Sequence, residues 1–131
     1  MNGVINYPTI PTEIVVHLGA PDEAAENLSL PFVDYIKNVA SNEIYPTWPD
    51  SAIEANILAQ ISFALNRIYN EWYTSKGYTF DITSLPAYDQ SFVKNRQVFD
   101  TISKKVDQIF NNYVYRTGQI QPLNAVYCDG K

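Results

Sequence analysis

The run from Asn42 to Tyr69, NEIYPTWPDSAIEANILAQISFALNRIY, limits the possible folds of this chain more than any other stretch. Ile53, Ile57, Ile61, Leu65, Ile68 and Trp72 recur every three or four residues, the spacing of one helical stripe. Ala52, Ala55 and Ala59 flank that stripe with small side chains, where a second element can approach closely. The pattern predicts a long amphipathic helix from Ser51 to about Ser75. Ser51 is the expected N-cap, and Glu54 closes a capping box with it. Glu43 stands eight residues before that cap, on an expected loop pinned by Pro46 and Pro49. The helix would form a rigid wall with Glu43 held at its mouth.

The remaining elements follow from shorter patterns. Residues 1–30 read as an extended arm carrying one β-branched strand, Glu13 to Leu18, and an acidic loop, Gly19 to Asn27. Pro31 suits the first turn of a short helix whose inner face is Phe32, Val33, Ile36, Val39 and Ala40. Gly77 is the expected stop of the long helix. Tyr78 to Thr83 alternates as a half-buried strand, and a loop with Pro86 runs to Gln90. A second helix is expected from Ser91, with Val98 or Phe99, Ile102, Val106, Ile109 or Phe110, and Tyr113 on one stripe and Gly118 at its end. Gln119 to Tyr127 reads as a closing strand, kept to an edge by Pro122. The expectation is an α+β fold, predominantly helical. One long central amphipathic helix packs on a second long helix, with a few short strands; residues 31–131 make the domain.

Composition narrows the function. A length of 131 residues allows one domain with a proper core. A net charge of −5, with no basic patch among the aromatics, argues against nucleic acid and against anionic membrane surfaces. No stretch has the length of a membrane span, and no signal peptide is visible at the N-terminus. Cys128 has no partner for an internal disulfide. His17 and Cys128 are the strongest transition-metal ligand types present, and two such residues do not make a zinc site, so neither metal nor cofactor is expected. Ten tyrosines supply flat apolar faces with polar tips, which suit sugars as well as the rim of a core.

With these residues in view, PFVDYIKNVASNEIYPTWPDSAIEANILAQ resembles the sporulation stage II protein D family, SpoIID with its LytB relatives. Glu43, Trp48, Pro49, Ala52, Ala55, Ala59 and Ala64 match the family's pattern, and Tyr88-Asp89-Gln90-Ser91-Phe92 is similar to its later D-x-Q-x-Y element. The likeness covers residues 31–130 unevenly. Pro46 falls one residue later than the family's proline. Ile61 stands where an Arg is usual, and Asp129-Gly130 replaces a Ser/Gly-rich signature. The family continues beyond the equivalent of Lys131, which implies a domain missing its C-terminal part, paired with that part or with another chain.

The resemblance implies a lytic transglycosylase acting on peptidoglycan glycan strands in the cell wall or envelope. Such a reaction needs one carboxylic acid: it protonates the leaving oxygen, the sugar's own 6-hydroxyl attacks, and the carboxylate takes the hydroxyl's proton. The paired carboxylates of ordinary glycosidases are not required. Glu43 is the expected acid then base, and Ile44, Tyr45 and Trp48 are its nearest apolar neighbours. Tyr45, Trp48, Tyr88 and Tyr127 are candidates for stacking on sugars or for plain packing. Asp89 and Gln90 are candidates for bonding sugar hydroxyls or for capping a helix at Ser91. Asn56 and Gln60 lie inside the long helix, facing either the cleft or solvent. Two alternatives stand beside the enzyme: a non-catalytic glycan-binding module of the same fold, favoured by Ile61 and Asp129-Gly130, and a structural domain that binds a protein partner.

Overall fold

A computed structural model describes residues 10–117. It is a small α+β domain of three helices and a three-stranded sheet. The chain runs β1 (Glu13–His17), β2 (Asn27–Pro31), α1 (Phe32–Glu43), α2 (Asp50–Tyr69), a short 3-10 turn (Thr74–Lys76), β3 (Ile82–Thr83) and α3 (Asp100–Thr117).

β1 is the middle strand, antiparallel to β2 and parallel to β3. Its residues alternate, so Ile14 and Val16 point into the core while Glu13 stays outside. Residues 13–30, set apart from the domain by composition, thus supply the central strand and one edge of its sheet. β2 lies where an acidic loop running into a helix was expected. Leu28 and Leu30 alternate with polar residues and pack against the core, and Pro31 closes the strand where a missing N–H costs no ladder bond. β3 keeps only two residues of the expected Tyr78–Thr83 strand. Asp81 adds to it by accepting from the Val15 N–H at 2.8 Å through its side chain and donating to the Val15 carbonyl through its backbone.

The core is shared by all elements. Phe32, Tyr35, Ile36 and Val39 of α1 meet Ile53, Ile57, Ile61 and Leu65 of α2 and Ile102, Val106 and Phe110 of α3. α1 touches both other helices and both of the longer strands, so the centre of the packing is the shorter helix, not the 20-residue α2.

The ends of α2 differ from expectation. It starts at Asp50, one residue before Ser51, with Pro49 at the cap position and no side-chain capping bond; Glu54 pairs with Lys105 at 3.0 Å instead. It ends at Tyr69, and Glu71, at φ 53, breaks the helical path, which leaves Trp72 off the stripe and 44% exposed. Gly77, in the left-handed region at φ 95, closes the 3-10 turn that follows. Residues 91–99 form a loop rather than a helix. α3 begins at Asp100, so Phe99 lies outside it and is exposed. The expected strand Gln119–Tyr127 lies outside the described residues.

Leu65 is fully buried in this core, so Leu65→Ala should cost about 2–5 kcal/mol in urea unfolding. A loss below about 0.5 kcal/mol, as at a surface position, would show that the α2 stripe is not core.

Candidate functional site

Glu43 is the last residue of α1 rather than part of a loop. The helix stops there because Ile44 turns extended, at φ −125 and ψ 136, and its N–H closes onto the Ala40 carbonyl. Pro46 and Pro49 then keep the connection short and extended, with one turn from the Trp48 N–H to the Tyr45 carbonyl at 3.0 Å. A carboxylate at a helix C-terminus faces the negative end of the macrodipole, which costs stability. No basic residue in that last turn offsets it.

What fixes Glu43 is a pair of N–H donors from two other segments. Gln60 of α2 donates through Nε2 to Oε1 at 3.0 Å, and the Ser91 backbone N–H donates to Oε2 at 2.9 Å. Each oxygen keeps one further lone pair for another partner. Asn38 and Asn42, one helical turn apart on α1, hold the same loop: Asn42 Nδ2 donates to the Ser91 carbonyl at 2.9 Å. Asn38 bonds both backbone groups of Val93, at 2.8 and 3.0 Å. Arg96 donates to the Ser41 carbonyl at 3.0 Å and so satisfies one of the free carbonyls at the end of α1. Ser41, Asn42, Glu43, Ile44, Tyr45, Arg96 and Phe99 enclose a pocket of about 230 Å³.

The other predicted site residues divide into two groups. Tyr45 is 69% exposed and Trp48 36%, and their rings meet edge to face at 5.9 Å beside the Glu43 pocket. Tyr88 is exposed too, but it lines a different pocket of about 320 Å³ with Trp72, Tyr73, Asp22 and Glu23. Asp89 and Gln90 neither reach that surface nor cap a helix. The Asp89 side chain is fully buried; it accepts from Arg67 Nε at 2.6 Å, the Tyr73 hydroxyl at 2.7 Å, and the Thr83 N–H and hydroxyl at 2.9 and 2.6 Å. Gln90 accepts from the buried Tyr35 hydroxyl at 2.8 Å and donates to the Gln60 carbonyl at 3.0 Å. Tyr127 lies outside the described residues. Asn56 is exposed and donates to Ala52, whereas Gln60 is 6% exposed and touches Glu43. Lys37, six residues before Glu43 on the same helix, pairs with Asp107 at 2.9 Å and not with Glu43.

Asn38, Asn42 and Arg96 were not singled out by the sequence, whereas Gln60 was weighed as facing either the cleft or solvent. Gln60 did carry a signal, since it falls between Ile57 and Ala64 on the buried face of α2, where a polar residue needs a buried partner. His17 is taken up by the fold: its ring stacks on Phe80 at 4.3 Å and bonds Asn27 and the Glu23 carbonyl. Among the described residues, no group of three or more His, Cys, Asp and Glu side chains could hold a metal, and no helix is long and apolar enough to cross a membrane.

Family models, curated proteins and solved structures gave no match to the chain. The likeness to the SpoIID family therefore rests on the residues quoted above.

Removing the Asp89 carboxylate leaves the Arg67 guanidinium and three hydrogen-bond donors without their shared acceptor. Asp89→Ala should cost about 3–5 kcal/mol in urea unfolding. A cost below about 1 kcal/mol would show that solvent replaces the carboxylate without loss.

Tyr35 and Tyr73 share this network, and both hydroxyls have pKa values raised above the usual phenol range. For Tyr35 the main cause is burial, reinforced by the charges of Asp89 and Glu43; for Tyr73 it is burial, then the hydrogen bond to Asp89. A raised folded pKa contributes stability that is complete below the unfolded value and is lost as pH rises through the folded one. The urea midpoint should therefore stay level up to about pH 9.5 and fall above about pH 10. Tyr73→Phe should make that alkaline fall shallower; an unchanged slope would remove Tyr73 from the account.

Proposed function

We propose that the domain cleaves peptidoglycan glycan strands by a lytic transglycosylase reaction, with Glu43 as acid and then base. The observation that carries this reading is a single carboxylate at the unfavourable end of a helix, fixed on both oxygens and opening onto a small pocket beside exposed Tyr45 and Trp48. A residue that breaks a local stability rule and is then held in place from two sides is typical of a functional position.

In the first half of the reaction, the Glu43 carboxylic acid gives its proton to the glycosidic oxygen as the bond to the anomeric carbon breaks. The 6-hydroxyl of the same sugar then attacks that carbon, and Glu43, now ionised, accepts the hydroxyl proton. A 1,6-anhydro end forms, the acid is regenerated and no water is consumed. The two internal donors leave one lone pair on each oxygen for this exchange. Tyr45 and Trp48 offer ring faces and edges to the flanking sugars. The site of action would be the cell wall or envelope.

A second reading, a glycan-binding module without turnover, is favoured by one observation: both Glu43 oxygens already accept bonds from within the protein.

The full chain should be incubated with purified denuded glycan strands and the products read by mass spectrometry. The enzyme reading expects 1,6-anhydro ends and a loss of at least about 10²-fold in rate for Glu43→Gln, which keeps size and most hydrogen bonding but has no transferable proton. Binding without anhydro ends from the wild type favours the module. Cleavage by Glu43→Gln at the wild-type rate would move the acid to another residue.

A further inference from the structure

Gln60 is 6% exposed, and its side-chain amide is only half used. Nε2 donates to Glu43 Oε1 at 3.0 Å, while Oε1 is buried without a hydrogen bond among the described residues. A buried carbonyl oxygen normally has a partner. The orientation with Nε2 towards Glu43 is the one an ionised carboxylate demands, since such a group only accepts. A protonated carboxyl has the opposite need: its O–H must find an acceptor. Turning the Gln60 amide over by half a rotation exchanges the two ends and offers Oε1 to that O–H. The idle oxygen is then the acceptor for the second protonation state.

We infer that Gln60 is a positioning residue for the Glu43 proton, donating to the carboxylate and, with its amide reversed, accepting from the carboxylic acid. This rests on Glu43 being the proton carrier of the reaction proposed above. The backbone of Gln60 is well placed for the task. Its carbonyl accepts from Gln90, which in turn accepts from Tyr35, so the main chain stays fixed while the amide turns. Among the described residues, the other titratable or charged groups facing the pair include Tyr35 of α1, Tyr45 just after it and Arg96 of the 91–99 loop. None is bonded to the Gln60 amide. Tyr35 donates to Gln90, and Arg96 donates to the Ser41 carbonyl. Held by one group in both states, the carboxyl keeps its place: its O–H rests on Gln60 Oε1 until the glycosidic oxygen takes the proton, and Nε2 then donates to the carboxylate that remains.

Two measurements test this. In wild-type protein, the Gln60 side-chain NH₂ resonances should move together with the Glu43 carboxyl ¹³C resonance as that carboxyl titrates, and should stay still in Glu43→Gln. NH₂ resonances that do not respond to Glu43 protonation overturn the inference, whatever the activity. In glycan cleavage, Gln60→Met, which keeps length and bulk but neither donates nor accepts strongly, should lower kcat roughly 10²-fold with KM nearly unchanged. A Gln60→Met enzyme with wild-type kcat also overturns it. If wild type makes no anhydro ends, the proposed function fails, and the NMR titration alone decides whether the amide follows the Glu43 proton. If Gln60→Met does not fold, the wild-type titration again decides.

Discussion

Four hydrogen-bond donors converge on the buried carboxylate of Asp89, and the geometry around Glu43 depends on that convergence. A carboxylate removed from water is tolerated only with a paired charge and filled acceptor sites. Arg67 supplies the charge, while Tyr73 and Thr83 supply the remaining donors. These partners come from the end of α2, the turn after it and β3, so Asp89 ties the 84–99 segment to three parts of the domain. The next two residues carry the consequence forward. Gln90 joins Tyr35 of α1 to the α2 backbone, and Ser91 presents its N–H to Glu43. The outer side of the same hub is a stack in which Arg67 lies over both Phe63 and Trp72, and Lys76 lies over Trp72.

α1 answers from the other side with a polar edge. Asn38 and Asn42 sit one turn apart, and Glu43 follows directly, so all three reach the same stretch of loop backbone. The adjoining face of the helix carries Phe32, Tyr35, Ile36 and Val39 into the core. One helix therefore fixes the domain's interior and the position of its candidate acid together. A core substitution on α1 would shift the carboxylate as well as weaken the fold.

The sequence made some of this legible and hid the rest for physical reasons. The stripes of α1 and α2 were readable because burial of apolar residues at helical spacing is a local pattern. The exact ends of α2 were not: Pro49 and Asp50 start the helix as well as Ser51 does, and left-handed Glu71 ends it with no glycine to announce the change. β2 was hidden because two leucines alternating with polar residues look much like a loop until β1 lies beside them. The misread of residues 91–99 has a different origin. That loop keeps its path through bonds from Asn38, Asn42 and Ser41 of α1, some fifty residues earlier, and no local pattern reports such partners. Glu43 and Tyr45 stood out as candidates from the sequence, whereas Asp89 and Gln90 attracted a surface role that their buried hydrogen bonds occupy instead.

Ile61 bears on the choice between enzyme and binding module, because the family resemblance sets an arginine at that place. In this fold Ile61 is fully buried among Ile57, Leu65 and the apolar face of α1. An arginine there would bury a charge, and burying one without a partner is costly. The neighbouring residue, Gln60, is the one that turns towards Glu43. The departure at position 61 thus concerns how α2 packs, and it weighs little against an acid at position 43. What weighs more is how Glu43 is held. Glu43 is exposed, and its two oxygens accept from a neutral amide and from a backbone N–H. That combination holds the group in one orientation, which suits the acid-then-base role proposed for it above.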